Sequence, residues 1–565
     1  MRGIGASQGI AIGRAYIKAK GIKLEKKASD NTASEIERFW AAIEKSKEQL
    51  KDMIEMTRVK IGAEEAKIFE AHGMILEDPE LLDKVLRKIQ TDKVDAAWAV
   101  HESIAELAQL FAAIEDAYIR ERMLDLQDVG TRLIENLLGV KGTDYDNITE
   151  PVILVAEELT PSDMSKLPID KVLGILTEAG GATSHTAIMS RVMGLPAVVG
   201  VAGILREVRD SDLVAINGTT GELYINPPVE LLAPLQQEQN SQQKQQKALE
   251  QYIGQKTISK DDYEIHIGCN IGTPKDLKAV LKNDGEGIGL FRSEFLYMDR
   301  NTMPTEEEQF QAYKAAAEAM SRKPVIIRTL DIGGDKQLPY MDFPKEDNPF
   351  LGYRAIRYCL EEKDTFRIQL RALLRASAYG NVKIMLPMIS SVDEVRAAKE
   401  EVRKAMEELQ DRKLTYNPKV EVGIMIETPA AAVISDKLAA EVDFFSIGTN
   451  DLVQYTLAVD RMNSKIAALY TPYHPAVLQL IKMVADNANK AGIWVGMCGE
   501  AAQDELLAPV FMGMGLHELS VSPPQVLKIR KLLSGIRKKD MEYHVRELLK
   551  LSRAEEVHQY LQTIK

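Results

Sequence analysis

The chain has 565 residues, a formal net charge of −13 and 45% hydrophobic residues, enough for more than one domain with a core of its own. The acidity disfavours a nucleic-acid binder, which needs a basic face, and Cys269, Cys359 and Cys498 are too few and too scattered for a disulfide framework or a cysteine-rich metal site. No run of about 18 apolar residues offers a membrane span and the N-terminus has no basic-then-apolar signal pattern, so no membrane insertion and a cytoplasmic location are expected.

At the start, Gly3-Ile4-Gly5-Ala6-Ser7-Gln8-Gly9 superficially resembles a dinucleotide loop, but its third glycine is one residue too far along and no strand precedes it. Ile10–Ile17 reads instead as a strand leaving a glycine turn. From about Lys20 to Val140 the texture is helical. Ser34-Glu35-Ile36-Glu37 offers a capping box, and Phe39, Ala42, Ile43, Leu50, Met53 and Ile54 follow at helical spacing. Leu81, Leu82, Val85, Leu86 and Ile89, then Ile104, Leu107, Ala108, Phe111 and Ile114, give further amphipathic segments. These predict a helical bundle inserted after the first strand. Acidic residues exceed basic ones by about seven across Gly21–Thr143, which suits either a basic docking partner or a solvated face. His72 has the same two readings.

Strand signals return at Val152–Val155, Lys171–Thr177, Ala197–Val199, Leu213–Asn217 and Gly221–Ile225, alternating with helical stretches, so they form one α/β domain with the first strand. Pro227-Pro228 marks its boundary. Leu235–Gln251, rich in Gln, Lys and Glu, reads as a solvated connecting helix, either a swivel or a static surface helix. Beyond it lie eight apolar strand candidates separated by helices: Ile265–Asn270, Gly287–Phe291, Val325–Arg328, Val382–Leu386, Val422–Ile426, Phe444–Ile447, Trp494–Met497 and Glu518–Val521. Eight such units suit a closed parallel barrel, whose active site lies where the strands end.

Two groups of residues carry chemistry. After the strand Val172–Thr177, Gly180-Gly181-Ala182-Thr183-Ser184-His185 makes a glycine turn into an apolar-periodic helix, placing His185 in the first helical turn. Unpaired N–H groups and the helix dipole favour an anion there, and imidazole supplies a nitrogen nucleophile. At the barrel strand ends stand Arg292, Arg328 with Asp331 and Lys336, Glu427, Asn450 with Asp451, and Cys498 with Glu500. Arginines recognise phosphate and carboxylate bidentately, Glu427 and Asp451 can hold a Mg²⁺ that also binds substrate oxygens, and a thiol among cations can serve as a general acid. A small phosphorylated carboxylate is the implied ligand.

Gly3–Ala11, Gly180–Thr186, Gly289–Phe295, Asp331–Lys336, Gly448–Leu452 and Gly496–Glu500 together resemble enzyme I of the bacterial phosphoenolpyruvate:sugar phosphotransferase system, over essentially the whole chain. The resemblance implies an α/β multidomain fold. A phosphohistidine α/β domain would span 1–20 and 145–226, an inserted helical HPr-binding domain 21–144, a linker helix 227–259, and a (β/α)8 barrel for phosphoenolpyruvate binding and homodimerisation 260–565. It further implies that His185 accepts the phosphoryl group through Nε2, that Arg292, Arg328, Asn450 and Arg461 contact phosphoenolpyruvate with Lys336 at the phosphate, and that Glu427 and Asp451 ligate Mg²⁺. Mn²⁺ is an alternative occupant, since oxygen ligands discriminate the two weakly. Cys498 would protonate the enolate of pyruvate. His185 would then pass the group to a histidine of the carrier HPr, with Glu64, Glu65, His72 and Arg122 as candidate docking residues.

Two other classes of protein fit these residues less well. A dikinase or synthase of the same superfamily needs a large nucleotide-binding domain, and no stretch here has the length or the Gly-rich phosphate loop for one. A non-catalytic relative that only binds a partner does not explain the joint presence of His185, the arginines, Glu427, Asp451 and Cys498.

Overall fold

Val152-Ile153-Leu154-Val155-Ala156 is apolar at every position, and in the computed structural model it is the middle strand of a sheet covered on both faces. The structure describes the chain apart from residues 19–23, 61–65, 113–116, 141–144, 182–183, 299, 334–337, 339, 342, 462, 464 and 565, and apart from the side chains of 58–60, 67, 109–112, 117–122, 146, 242, 243, 245 and 246. Glu64, Glu65, Ile114, Lys336 and the side chains of Phe111 and Arg122 therefore lie outside the described residues. Two compact units result, Met1–Gln246 and Lys247–Lys565.

In the first unit, β1 (Ile4–Ser7), β2 (Ile10–Ile17), β3 (Val152–Ala156), β4 (Val172–Thr177), β5 (Ala197–Val199), β6 (Leu213–Asn217) and β7 (Glu222–Ile225) form one sheet in the order β1-β5-β4-β3-β2-β6-β7. β2, β3, β4 and β5 run parallel, while β1, β6 and β7 pair antiparallel at the edges. Alternation sorts the core: Val152, Leu154 and Ile175 face one side, and Ile153, Val155 and Leu176 the other. β1 carries no strong sequence signal and forms because it completes the edge beside β5.

Among the described residues, five α-helices lie between β2 and β3: α1 (Thr32–Lys60), α2 (Lys67–Leu76), α3 (Pro79–Thr91), α4 (Ala96–Ala112) and α5 (Ala117–Leu138). Their shared core includes Phe39, Ile43, Leu50, Leu81, Val85, Ile89, Ile104 and Leu107, the apolar positions expected from periodicity. The capping box does not form. The first helix starts at Thr32, the Asn31 side chain accepts the Ser34 N–H at 3.2 Å, and Glu35 is turned inward to accept the Ala96 N–H at 2.9 Å. His72 is fully buried in this bundle, its Nε2 3.2 Å from Asp125 Oδ1 and its Nδ1 3.9 Å from Asp128 Oδ2. The expectation that His72 belongs to a docking surface is therefore corrected: the acidic neighbours that hold the ring shut it inside.

After β4 and β5 come α7 (His185–Met193) and α8 (Ile204–Glu207), preceded by α6 (Pro161–Lys166) after β3. The connecting helix α9 runs Val229–Glu250, beginning before the expected Leu235 and continuing through Pro234. Its Gln239 Nε2 donates to the Ile10 carbonyl at 2.9 Å, and the division between the two units falls near its end.

In the second unit, β8 (His266–Ile271), β9 (Ile288–Arg292), β10 (Val325–Arg328), β11 (Val382–Leu386), β12 (Glu421–Ile426), β13 (Phe444–Ile447), β14 (Trp494–Met497) and β15 (Glu518–Val521) close into a parallel barrel, with β15 pairing back to β8. Inside it, Leu290, Ile326, Met385, Met425, Phe444 and Cys498 pack into an apolar layer across the middle. Among the described residues no helix is long and apolar enough to cross a membrane.

Candidate active site

The loop after β4 leads straight into α7, which begins at His185. Gly180 takes φ +102°, a region closed to most side chains, and lets the chain reverse. Ser184 is the N-cap: its Oγ accepts the Ala187 N–H at 3.4 Å and donates to the Gly181 carbonyl at 2.9 Å. Ala187 and Met189 bury into the sheet core, and Thr186 Oγ1 donates to the Leu159 carbonyl at 3.2 Å, which fixes the rotation of the helix. His185 is half-buried, with Nδ1 enclosed and without a hydrogen-bond partner among the described residues. On the same helix, three and seven residues on, Ile188 and Val192 are 40% and 48% exposed. The sequence reading missed that apolar stripe because a helical repeat looks the same whether it is covered or not.

The second constellation sits at the carboxyl ends of the barrel strands. Arg292, Arg328, Asp331, Glu427, Asn450, Asp451, Arg461 and Cys498 from the sequence reading all line one cavity of about 90 Å³ there. Two further lining residues, Glu294 and Arg354, had been given no role. Arg328 is buried and donates to Glu294 Oε1 at 2.5 Å and Asp331 Oδ2 at 2.9 Å. Burial acts against its charge, but Asp331 and Glu294 outweigh that and hold it strongly protonated. Arg354, 4% exposed, bridges Asp331 Oδ1 at 2.8 Å and Asp451 Oδ2 at 3.5 Å. It lies in the long loop after β10, well past the strand end, where no motif marks it.

The helix Thr449–Leu457 begins at the cavity with Asn450 and Asp451 in its first turn. Asn450 Nδ2 donates to Glu500 Oε1 at 3.3 Å, and its Oδ1 accepts the Glu500 N–H at 3.0 Å. Gly499 is required beside it, since a Cβ there would lie 1.8 Å from Thr449 Oγ1. Arg461 Nη1 is 3.6 Å from Asp451 Oδ1. Glu427, 1% exposed, accepts the Met388 N–H at 2.5 Å, a geometry reached by Met388 in a left-handed conformation at φ +56°. Strain of that kind collects at functional sites. Burial, then Asp451 and Asp331, push the Glu427 carboxyl up to about 8 against the pull of Arg328 and Arg354.

Cys498, 2% exposed, belongs to the apolar layer and also lines the cavity. Burial pushes its thiol up to about 12, although Ser446 and Arg328 act in the opposite direction. It is therefore a thiol, not a thiolate, at neutral pH, and equipped to give a proton.

Among the described residues no three His, Cys, Asp or Glu side chains are grouped to hold a metal by themselves. Glu427 and Asp451 nevertheless fit Mg²⁺: both are hard oxygen donors, Asp451 Oδ1 is buried without a hydrogen bond among the described residues, and their mutual repulsion is what a dication relieves. Two carboxylates suffice for an ion that keeps water and substrate oxygens in its shell.

Three domain families match the chain: PEP-utilising enzyme, N-terminal, over residues 2–122; PEP-utilising enzyme, mobile domain, over 148–221; and PEP-utilising enzyme, PEP-binding domain, over 245–538. The chain is 46% identical over 564 residues to the phosphoenolpyruvate-protein phosphotransferase of Priestia megaterium, covering 100% of this chain and 98% of the relative. It is 46% identical over 558 residues to that of Bacillus subtilis (strain 168), covering 99% and 98%. Among solved structures, the NMR solution structure of Enzyme I (nEIt) is 37% identical with a TM-score of 0.37, covering 43% of this chain and 99% of that one.

Proposed function

The chain belongs to the phosphoenolpyruvate-protein phosphotransferase family, enzyme I of the phosphotransferase system, and from that membership we propose how its two sites divide the work. Phosphoenolpyruvate binds the barrel mouth, its phosphoryl group passes to His185 Nε2 with release of pyruvate, and His185 then passes it to a histidine of HPr. The observation that carries this reading is the convergence of Arg292, Arg328, Arg354 and Arg461 with Glu427, Asp451 and Cys498 around one small cavity. Four guanidinium groups suit a ligand bearing both a phosphate and a carboxylate.

Arg328 and Arg354 are locked by buried carboxylates before the ligand arrives, so their orientation costs little at binding. Lys336, which lies outside the described residues, is assigned to the phosphate by the family motif alone. Bound at Glu427 and Asp451, Mg²⁺ or Mn²⁺ would supply charge neutralisation at the transferring phosphoryl group. Breaking the bond from phosphorus to the enol oxygen leaves the enolate of pyruvate. Cys498 Sγ–H protonates its methylene carbon, and trapping as the ketone makes the transfer downhill. At His185 the enclosed Nδ1 leaves Nε2 as the nitrogen open to attack, at the positive end of α7.

Ile188 and Val192 beside His185 provide an apolar rim that excludes water when either partner covers the site. Because one imidazole serves a donor and an acceptor, the connecting helix α9 is assigned as the swivel. The helical bundle is assigned to HPr docking, with Glu64, Glu65 and Arg122 retained as candidates, and the barrel unit to homodimerisation. The location read from this function is the cytoplasm.

The test is phosphate incorporation from labelled phosphoenolpyruvate with Mg²⁺, comparing wild type, His185→Ala and Cys498→Ala and locating the label by peptide mass. Acid-labile label on His185, dependent on metal and transferable to HPr, is expected. Equal labelling of His185→Ala sinks the reading.

A further inference from the structure

The cavity at the barrel mouth is lined almost entirely by charged and polar groups. Leu290, Met425 and Cys498 are the exceptions, the only apolar side chains that line it among the described residues. All three also belong to the apolar layer inside the barrel, and none is more than 3% exposed. The apolar lining therefore lies on one side of the cavity, the side toward that layer, and forms its floor. Met425 has little freedom there. Arg328 Nη1 donates to its Sδ at 3.7 Å, and a Cβ added to Gly448 would lie 3.0 Å from the same sulfur. It shares the layer with Phe444, whose ring stacks on Trp494 with centroids 4.7 Å apart and would lie 2.4 Å from a Cβ on Gly423. A floor packed in this way cannot yield by a methyl group without strain.

The chemistry of the substrate determines which part of it meets the floor. Phosphate and carboxylate are matched by the guanidinium groups of the walls, which leaves the methylene carbon, C3, as the one apolar part of phosphoenolpyruvate. C3 is also the atom that takes the proton. As the bond from phosphorus to the enol oxygen breaks, the oxygen's electron pair closes the C2=O double bond. The C2=C3 pair then takes the proton of Cys498 Sγ, leaving a thiolate. That proton arrives on the π face, so the plane of the enol lies over Cys498. A substituent on C3 lies in the same plane and, in either geometric isomer, is carried outward over the rest of the floor, which is Leu290 and Met425. The whole cavity is only about 90 Å³.

We propose that Leu290 and Met425 set the substrate specificity at C3: they admit an unsubstituted methylene and exclude enol phosphates that carry an alkyl group there. The inference rests on the reading that phosphoenolpyruvate fills this cavity with C3 at Cys498. Cys498 supplies the proton, while Leu290 and Met425 take no part in bond making and supply the size limit. One extra methylene in an apolar pocket is typically worth about 10- to 200-fold in discrimination, and the upper part of that range requires walls that do not give way.

The test compares phosphoenolpyruvate with its C3-methyl homologue, 2-phosphonooxybut-2-enoate, in both geometric isomers, on the full-length protein with Mg²⁺. Phosphate on His185 and release of the 2-oxo acid, pyruvate or 2-oxobutyrate, are both followed at low substrate concentration. Wild type should favour phosphoenolpyruvate by at least about tenfold. Met425→Ala and Leu290→Ala should each reduce that preference at least about fivefold, while the volume-conserving Met425→Leu retains it. The preference is a ratio within one preparation, so partial unfolding of a variant does not distort it, and Leu290→Val makes the same comparison if the alanine variants fail to fold. The proposal is overturned by wild-type rates within about threefold for the two substrates, or by a preference unchanged in every folded variant with a smaller side chain at Leu290 or Met425. A wild-type chain that takes no phosphate even from phosphoenolpyruvate overturns the reading of the barrel mouth, and this inference with it, so the two failures are told apart.

Discussion

Arg354 was not picked out from the sequence, and replacing it tests the barrel mouth most sharply. Arg354→Met removes the cation that joins Asp331 to Asp451, leaving Asp331 to Arg328 and Asp451 to Arg461 Nη1 at 3.6 Å. Deleting one partner of a buried pair typically costs ~3–5 kcal/mol; because Asp331 keeps a second arginine, ~2–3 kcal/mol of stability is expected here. Loss of one preorganised group opposite developing charge is worth about 10²–10³ in rate. Arg354 also pulls the Glu427 carboxyl down, so its removal drives that group further into its protonated form. The assay is initial rates of phosphoenolpyruvate-dependent phosphorylation with kcat and KM separated, alongside the thermal midpoint, for Arg354→Met and Arg354→Lys. Lysine keeps the charge without the planar fork and should recover stability better than kcat/KM. A folded Arg354→Met protein within about threefold of wild-type kcat/KM would refute the reasoning.

The remaining predictions concern different elements. Ile188→Glu should leave stability within ~0.5 kcal/mol, since the side chain is already 40% exposed, yet slow phosphoryl transfer about tenfold; unchanged transfer would remove the apolar rim from the argument. Gly499→Ala sets a Cβ 1.8 Å from Thr449 Oγ1 and 2.4 Å from its backbone nitrogen, so it should cost ~2 kcal/mol or more and displace Asn450 and Asp451; an unchanged thermal midpoint contradicts that. Glu427 and Glu518 both have carboxyls raised to about 8, so the native state holds protons that the unfolded chain releases near its ordinary carboxylate range. Their contribution is full below about pH 4.5 and lost as pH rises through about 8, with a slope of up to ~1.4 kcal/mol per pH unit for each group. In metal-free buffer the thermal midpoint of Glu427→Gln should therefore fall less over that window than wild type, and parallel curves would refute the assignment.

The elements legible in the sequence were those with a strong period or a chemical motif. Continuous apolar runs located the barrel strands within a residue or two, since a strand buried on both faces needs no polar partner positions. His185 was legible because glycines, a capping serine and a helical repeat all mark the same turn. Arg354 was not, because the loop after β10 returns to the mouth only in three dimensions. Met388 was equally silent: nothing in Pro387-Met388-Ile389 announces a left-handed methionine whose N–H is aimed at Glu427. His72 failed in the other direction, because a histidine among acidic helices has the same sequence whether the acids face water or face the ring. The packing of Glu518 depends on glycines from three strands, Gly268, Gly289 and Gly496, meeting one side chain, a relation that only the register supplies.

Charge at the barrel mouth leads to a last prediction. Arg292, Arg328, Arg354 and Arg461 face Glu294, Asp331 and Asp451, while Glu427 is held toward its neutral form, so the described residues leave a balance of about one positive charge. Phosphoenolpyruvate is a trianion when fully ionised, which that balance does not meet. A divalent cation, with Glu427 deprotonated to receive it, raises the balance to about two and narrows the gap, but among the described residues it finds only two carboxylates placed for it, so metal and substrate should each be weak ligands alone and strong ones together. By linkage the enhancement is reciprocal, and ~10-fold or more is expected in each direction. His185→Ala lets this be measured without turnover: calorimetric titration of Mg²⁺ with and without phosphoenolpyruvate, then the reverse. Glu427→Gln should reduce the coupling, because an amide gives a poorer ligand and has no proton to release. Equal Mg²⁺ affinity with and without phosphoenolpyruvate would mean that the mouth already balances its own charge, and that Glu427 is raised for some reason other than waiting for a metal.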